Sequence, residues 1–140
     1  LGRTRCTMKF NTAVTSSRRK NRARHFSSDS SSRRRLMSST LDKTLREKYG
    51  CRSIPVCKDD EVKVMTGKLK GREGRVVTVY RKRFHILVER LNRLKSDNQT
   101  EAPVPVHPSN VMITKIRETG SRRAILDRRG KDSADMDRVD

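Results

Sequence analysis

Cations set beside flat rings are the residues of this chain best suited to chemistry. The run Arg18-Arg19-Lys20-Asn21-Arg22-Ala23-Arg24-His25-Phe26 carries five positive side chains into an imidazole and a phenyl ring. Positive groups neutralise phosphates and flat rings stack on unpaired bases, so the pattern is that of a segment holding nucleic acid. Arg33, Arg34 and Arg35 extend it after the serine-rich run Ser27-Ser28-Asp29-Ser30-Ser31-Ser32. A second basic stretch, Gly67-Lys68-Leu69-Lys70-Gly71-Arg72-Glu73-Gly74, is followed by Arg75. Gly67, Gly71 and Gly74 either let backbone approach phosphate closely or supply positive φ at turns and a bulge, and both readings stand equally. Lys68, Lys70, Arg72 and Arg75 are read as phosphate contacts in preference to a solvated face. Arg81, Lys82 and Arg83 form a cationic hairpin tip, read as reaching RNA in preference to only blocking edge pairing. His107, Arg122 and Arg123 complete the RNA-facing candidates.

Other reactive side chains lack partners at useful spacing. Cys51 and Cys57 stand too far apart for a zinc-binding pair, Cys6 is remote, and His25, His85 and His107 are scattered, so no metal is expected. Sparse cysteines in odd number are read as the reduced thiols of an intracellular protein. No nucleophile or paired carboxylate accompanies a histidine, so no catalytic residue, cofactor or small-molecule substrate is assigned. Asp59, Asp60 and Glu61 are read as caps of the β unit that pair with arginines, in preference to a magnesium site.

Thirty-five Lys and Arg against 16 Asp and Glu give the 140 residues a formal charge of +19. A chain this basic repels itself when compact, and a polyanion relieves the repulsion. Residues 1–35 hold eleven cations and one acid, a net of +10, while 36–57 add +2, 58–116 add +6 and 117–140 add +1. These are the expected units: a basic RNA-binding arm, a short helix with its linker, a β-barrel, and a C-terminal helical turn with an acidic tail. The arm has no apolar period of 2 or 3.6 and is expected to stay disordered until RNA orders it, with the barrel folded beforehand. No apolar run approaches the roughly 20 residues of a membrane span, and no secretory leader opens the sequence. No membrane partner is expected.

The elements that must position these groups are short. Ser39-Thr40-Leu41-Asp42 matches a capping pattern, and Leu41, Leu45 and Tyr49 recur at helical spacing, which predicts a helix over 40–49 stopped by Gly50. Beyond residue 58 the texture is β: Val62 and Val64 alternate with charges, 75–80 are β-branched, Phe84, Ile86 and Val88 share a face, and 111–116 form a further run. Ser96-Asp97-Asn98 marks a turn, and Pro103 and Pro105 withhold N–H groups from one side, which suits an edge strand. Five short strands with glycines at the corners predict a mainly β fold, a small partly closed barrel with short flanking helices. Residues 121–129 predict one or two helical turns, and 132–140 an unstructured tail.

Val62-x-Val64-x-x-Gly67-x-x-Lys70-Gly71-x-x-Gly74-x-Val76-x-x-Val79 resembles the KOW motif, which marks RNA-associated SH3-like barrels in ribosomal proteins and transcription elongation factors. The flanks narrow the choice. Met8-Lys9-Phe10-Asn11, Arg22-Ala23-Arg24-His25-Phe26, residues 41–49, Arg52-Ser53-Ile54-Pro55-Val56, Lys58-Asp59-Asp60-Glu61-Val62 and His107-Pro108-Ser109-Asn110-Val111 resemble one family in order. It is the eukaryotic and archaeal type of large-subunit ribosomal protein twenty-four, called large-subunit protein twenty-six in eukaryotes. The resemblance implies a monomeric constituent of the large subunit that binds the 5′ region of its rRNA and acts early in assembly near the exit of the nascent-peptide tunnel. It also implies contacts with neighbouring large-subunit proteins, and a cytoplasmic ribosome reached after passage through nucleus and nucleolus. The chain departs from the family at residues 1–7, which precede its usual start, at the serine run, at Cys57 in place of a basic residue, and in its acidic tail. A transcription elongation factor would need a further α/β domain of roughly 80–100 residues, and an RNA nuclease would need a general base or metal cluster.

If Gly71 supplies positive φ at a turn of the motif, a β-branched residue there is strongly disfavoured. Gly71→Val is expected to lower stability by about 1–3 kcal/mol. An unchanged thermal melt of the full chain would show that this conformational freedom goes unused.

Overall fold

The computed structural model describes Asn11 and residues 14–136, with side chains described as far as Gly130. Chain order runs α1 (Arg18–Phe26), α2 (Ser30–Leu36), β1 (Ser38–Leu41), α3 (Lys43–Tyr49), β2 (Ser53–Pro55), β3 (Glu61–Val64) and β4 (Glu73–Tyr80). A 3₁₀ turn (Arg81–Arg83) leads to β5 (His85–Val88), β6 (Asn92–Leu94), β7 (Glu101–Pro103), a second 3₁₀ turn (Pro108–Asn110), β8 (Val111–Lys115) and α4 (Gly120–Met136).

Alternation places the core where the sequence puts it. Val62 and Val64 point inward from β3, Phe84, Ile86 and Val88 do so at and along β5, and Val111 and Ile113 come from β8. Val76 of β4 joins them, after which the register with β5 slips by one residue, leaving Val77 outside the core. Such a bulge bends the strand and increases its twist. Gly50, Gly67 and Gly71 take positive φ, as turn residues should. Gly74 has another role. It pairs with Val62 inside the β3–β4 ladder, where an added Cβ would lie 2.7 Å from the Glu89 carbonyl oxygen.

The fold is mainly β, but its strand order differs from the expected five-stranded, partly closed barrel. Six strands run in the order β2-β1-β8-β3-β4-β5, and β6 pairs with β7 separately. That order has two ends and does not close. β1 and β2 lengthen the sheet from a region read as helix and linker: β1 lies antiparallel to β2 and parallel to β8. Leu41 is therefore a strand residue, and α3 begins only at Lys43. Ser39 is no helix cap either; it is buried, and its hydroxyl donates to the Pro108 carbonyl at 2.6 Å. In the proline-rich stretch, Val104 N–H donates to Leu91 and Val106 N–H to Ile86, so the N–H groups missing at Pro103 and Pro105 belong to the opposite side.

The C-terminal helix is the larger difference. One or two turns and a loose tail are expected, whereas α4 extends through Met136. Arg122, expected to face RNA, is only 3% exposed and ion-pairs with Asp60, which is fully buried. Asp60 also accepts from the backbone N–H of Cys57 at 2.8 Å and of Arg117 at 2.9 Å, while Arg122 donates to the Pro55 carbonyl at 3.2 Å. Arg122 and buried Leu126 are one helical turn apart, and Arg129, one further turn along, donates to the Ser53 carbonyl at 2.7 Å. Beyond them Gly130 lies against α3, where a Cβ would come 2.7 Å from the Tyr49 carbonyl oxygen. Asp59 pairs with Arg117 at 2.8 Å and Glu61 with Lys115 at 3.0 Å, so the acidic triplet does cap the sheet, with lysine in place of the third arginine.

Removing one partner from a buried pair leaves the other charge stranded. Arg122→Leu is expected to destabilise the chain by about 3–5 kcal/mol. Arg123→Leu, which removes only the exposed pair with Glu118, should cost about 0–1 kcal/mol. Denaturant midpoints at equal slope make the comparison, and equal midpoints for the two variants would refute the structural role of Arg122.

Candidate nucleic-acid interface

Of the basic arm expected to be disordered, residues 1–35, the stretches 18–26 and 30–35 lie in two short helices, while residues 1–10, 12 and 13 lie outside the described residues. Neither α1 nor α2 buries a residue, and isolated helices under about 12–15 residues are marginal in water. They are held by caps and by one dock. Hydrogen bonds from Ser32 keep the Asp29 carboxyl below its usual range, and the bond from the Ser32 N–H closes the start of α2. The dock is aromatic: His25 stacks on Phe84 with ring centroids 4.3 Å apart, and Phe26 meets Phe84 edge-on at 6.0 Å. Arg33 places its guanidinium 5.1 Å from the Phe84 centroid. It also donates to the carbonyls of Ser28, Phe26 and Lys82. Aromatic pairs contribute about 0.5–1.5 kcal/mol and exposed cation–π contacts about 0.5–1 kcal/mol. The dock is thus worth a few kcal/mol at most.

Its consequence is to merge two predicted sites. Phe84 directly follows the Arg81–Arg83 turn, so α1 and α2 lie against the hairpin tip. Arg18, Arg19, Lys20, Arg22, Arg24, Arg34, Arg35, Arg81, Lys82 and Arg83 are all exposed, with Arg22 lying 4.9 Å from the Phe26 ring centroid. Arg33 differs from them, being half-buried and bonded to three carbonyls inside the dock.

The remaining candidates divide further. Lys68, Lys70 and Arg72 are exposed on the β3–β4 loop, which shares a shallow hollow of ≈ 230 Å³ with His107. His107 has a local task there, its Nδ1 accepting from the Ser109 N–H at 3.2 Å. Arg75 shares its hollow with Glu61, Glu73 and Glu89 and with Arg90, so charges of both signs surround it. Arg123 pairs with Glu118, whose carboxyl is held below its usual range by hydrogen bonds from Arg123 and Tyr49. Burial pushes the Cys51 thiol up, the reverse of what a reactive thiolate needs.

Residues 15–129 match the family described as ribosomal proteins L26 of eukaryotes, with their archaeal L24-type counterparts. The chain belongs to this ribosomal-protein family. It is 49% identical over 128 residues to large ribosomal subunit protein uL24 of Littorina littorea, covering 91% of this chain and 88% of that protein. It is 50% identical over 123 residues to the protein of the same name from Schizosaccharomyces pombe, covering 88% and 97%. The Dictyostelium discoideum protein of that name is 46% identical over 124 residues, covering 89% and 88%.

Two of the family-like blocks turn out to carry structural contacts: His25 and Phe26 dock on Phe84, and Asp60 receives Arg122. Arg128 and Arg129 were not among the expected site residues, yet α4 brings them beside Arg34 and Arg35 around one hollow. No local pattern reports that meeting, since α2 and α4 lie at opposite ends of the sequence.

The stack is testable without RNA. His25→Ala should free the α1–α2 segment, so that trypsin cuts within residues 18–36 faster than in the unaltered chain, while the melting temperature of the sheet changes little. Equal cleavage rates would mean that the imidazole does not hold the arm.

Proposed function

We propose that the chain is a structural, non-catalytic constituent of the large ribosomal subunit that binds and organises its rRNA. The observation that carries this reading is the sorting of charge. Asp59, Asp60, Glu61, Glu73 and Glu118 each hold a cation within ion-pair distance, while the cations of α1, α2 and the hairpin tip, Arg33 apart, stand exposed. A surface arranged in this way contacts phosphates, releases their counterions and fixes RNA segments relative to one another without reading sequence.

In this reading β3, β4 and β5 are the KOW portion of an SH3-like barrel, with the Gly67–Gly71 loop presenting Lys68 and Lys70 to the backbone. His25 and Phe26 exchange Phe84 for an unpaired base. Names of the relatives support the large subunit as the assembly. A seat near the exit of the peptide tunnel, early assembly and nucleolar passage follow from the family resemblance, as do neighbouring ribosomal proteins as partners.

Six to ten phosphate contacts predict that RNA affinity falls about 10³–10⁵-fold between 50 and 200 mM salt. A tagged copy should sediment with large subunits on a sucrose gradient. A flat salt response, or recovery only in soluble fractions, would sink the proposal.

A further inference from the structure

We infer that the hollow between α2 and α4 seats one phosphodiester of that RNA, gripped by arginines from both walls; this rests on the RNA-binding reading above. Arg34 and Arg35 stand on one wall and Arg128 and Arg129 on the other, over a floor that includes Pro55 and Ile125, in a space of ≈ 650 Å³. That volume admits a phosphate with its flanking sugars.

Gathering four guanidinium groups over apolar side chains is electrostatically unfavourable by itself, because like charges repel more strongly where water is displaced. An anion reverses the sign. Among the described residues, no carboxylate forms an ion pair with any of the four. Asp29 also lines the hollow, but its carboxylate is engaged by Ser32 at the start of α2. Guanidinium forks match the paired oxygens of a phosphate, whereas scattered ammonium groups would give only point charge.

The α4 wall is fixed before any ligand arrives, and the α2 wall is docked beside it by a weaker contact. α4 is pinned by Arg122 on Asp60, by Arg129 on the Ser53 carbonyl and by the close approach of Gly130 to Tyr49. α2 is held by Arg33 on the Lys82 carbonyl. Continuity singles out a nucleic-acid backbone over an isolated carboxylate of a protein partner. Arg35, Asp29 and Ser32 also line a second hollow of ≈ 880 Å³ shared with Arg24 and His25 of α1. The two hollows thus make one track leading from α4 to the arm, along which successive phosphates can lie.

A double-mutant cycle on the full chain tests this, with a transcript of the 5′ region of large-subunit rRNA as the probe. Arg34→Gln and Arg128→Gln are exposed changes that should leave the melting temperature unaltered. Each alone is expected to weaken binding about tenfold, the scale of one charge-assisted contact. If they grip one phosphate, the double variant loses much less than the hundredfold product. Its slope of log affinity against log salt should then become shallower by about 0.9, as for one phosphate, and not by about 1.8. Losses that multiply in full, with the larger slope change, would overturn the shared seat, as would unaltered affinity in all three variants. In either case a steep salt slope for the unaltered chain would leave the RNA-binding reading standing, whereas a flat one would remove both.

Discussion

A carboxylate with no exposure to water governs how the parts of this molecule meet. Asp60 lies in the connection between β2 and β3 and accepts from the Cys57 N–H, the Arg117 N–H and the Arg122 guanidinium. Desolvating such a charge costs several kcal/mol, and the cost is offset only when every donor is in place. The three donors come from the β2–β3 connection, the exit of β8 and α4. Misplacing any one of them leaves a buried ion unsatisfied. A pair like this stabilises less than well-packed apolar side chains would, and the Arg122 Nε is itself buried without a partner. What it supplies is registration, since α4 can sit in only one position on the sheet.

Registration has electrostatic consequences at the surface. Cross-strand pairs join Lys63 to Glu73 and Lys115 to Glu61, so parts of the sheet are locally neutral. Each exposed pair stabilises by only about 0–1 kcal/mol, so their effect lies more in the field than in the folding free energy. Excess positive charge is left on the arm, the hairpin tip and the α2–α4 hollow. A compact body carrying +19 is strained by its own repulsion, and a polyanion laid across those regions relaxes the strain.

What could be read from the sequence follows from how local each interaction is. Alternation at Val62 and Val64, and at Phe84, Ile86 and Val88, fixes buried faces without reference to distant residues. Turn glycines such as Gly67 and Gly71 are equally local, because positive φ is a property of the residue itself. β1 and β2 are four and three residues long, too short for a period to emerge, and β1 exists because β8, some seventy positions away, offers it a parallel edge. Arg122 was misplaced because an arginine in a basic sequence reads as surface, although its spacing from Leu126 puts both on one helical face. The exposed cations of α1 were legible as a surface, whereas the meeting of Arg34 with Arg128 was not.

The arm shows why absence of an apolar period is a weaker sign of disorder than it looks. Its helices bury no residue, yet rings and a guanidinium close on Phe84 and Arg33 donates to the Lys82 carbonyl, so the ordering comes from outside the segment. Base stacking on an aromatic ring contributes about 1–3 kcal/mol per base, the same scale as the stack that His25 makes inside the protein. In the proposed reading a nucleotide would therefore replace Phe84 with little net change. No ligand can do the same for Asp60 and Arg122, because exposing that pair would dismantle the joint between α4 and the sheet. The molecule thus contains two classes of contact: a buried ionic one that is fixed and sets the frame, and a shallow aromatic one that can be exchanged on it. In the proposed RNA-binding reading, their separation would let a rigid cationic frame meet RNA first and the docked rings rearrange afterwards, without unfolding of the core.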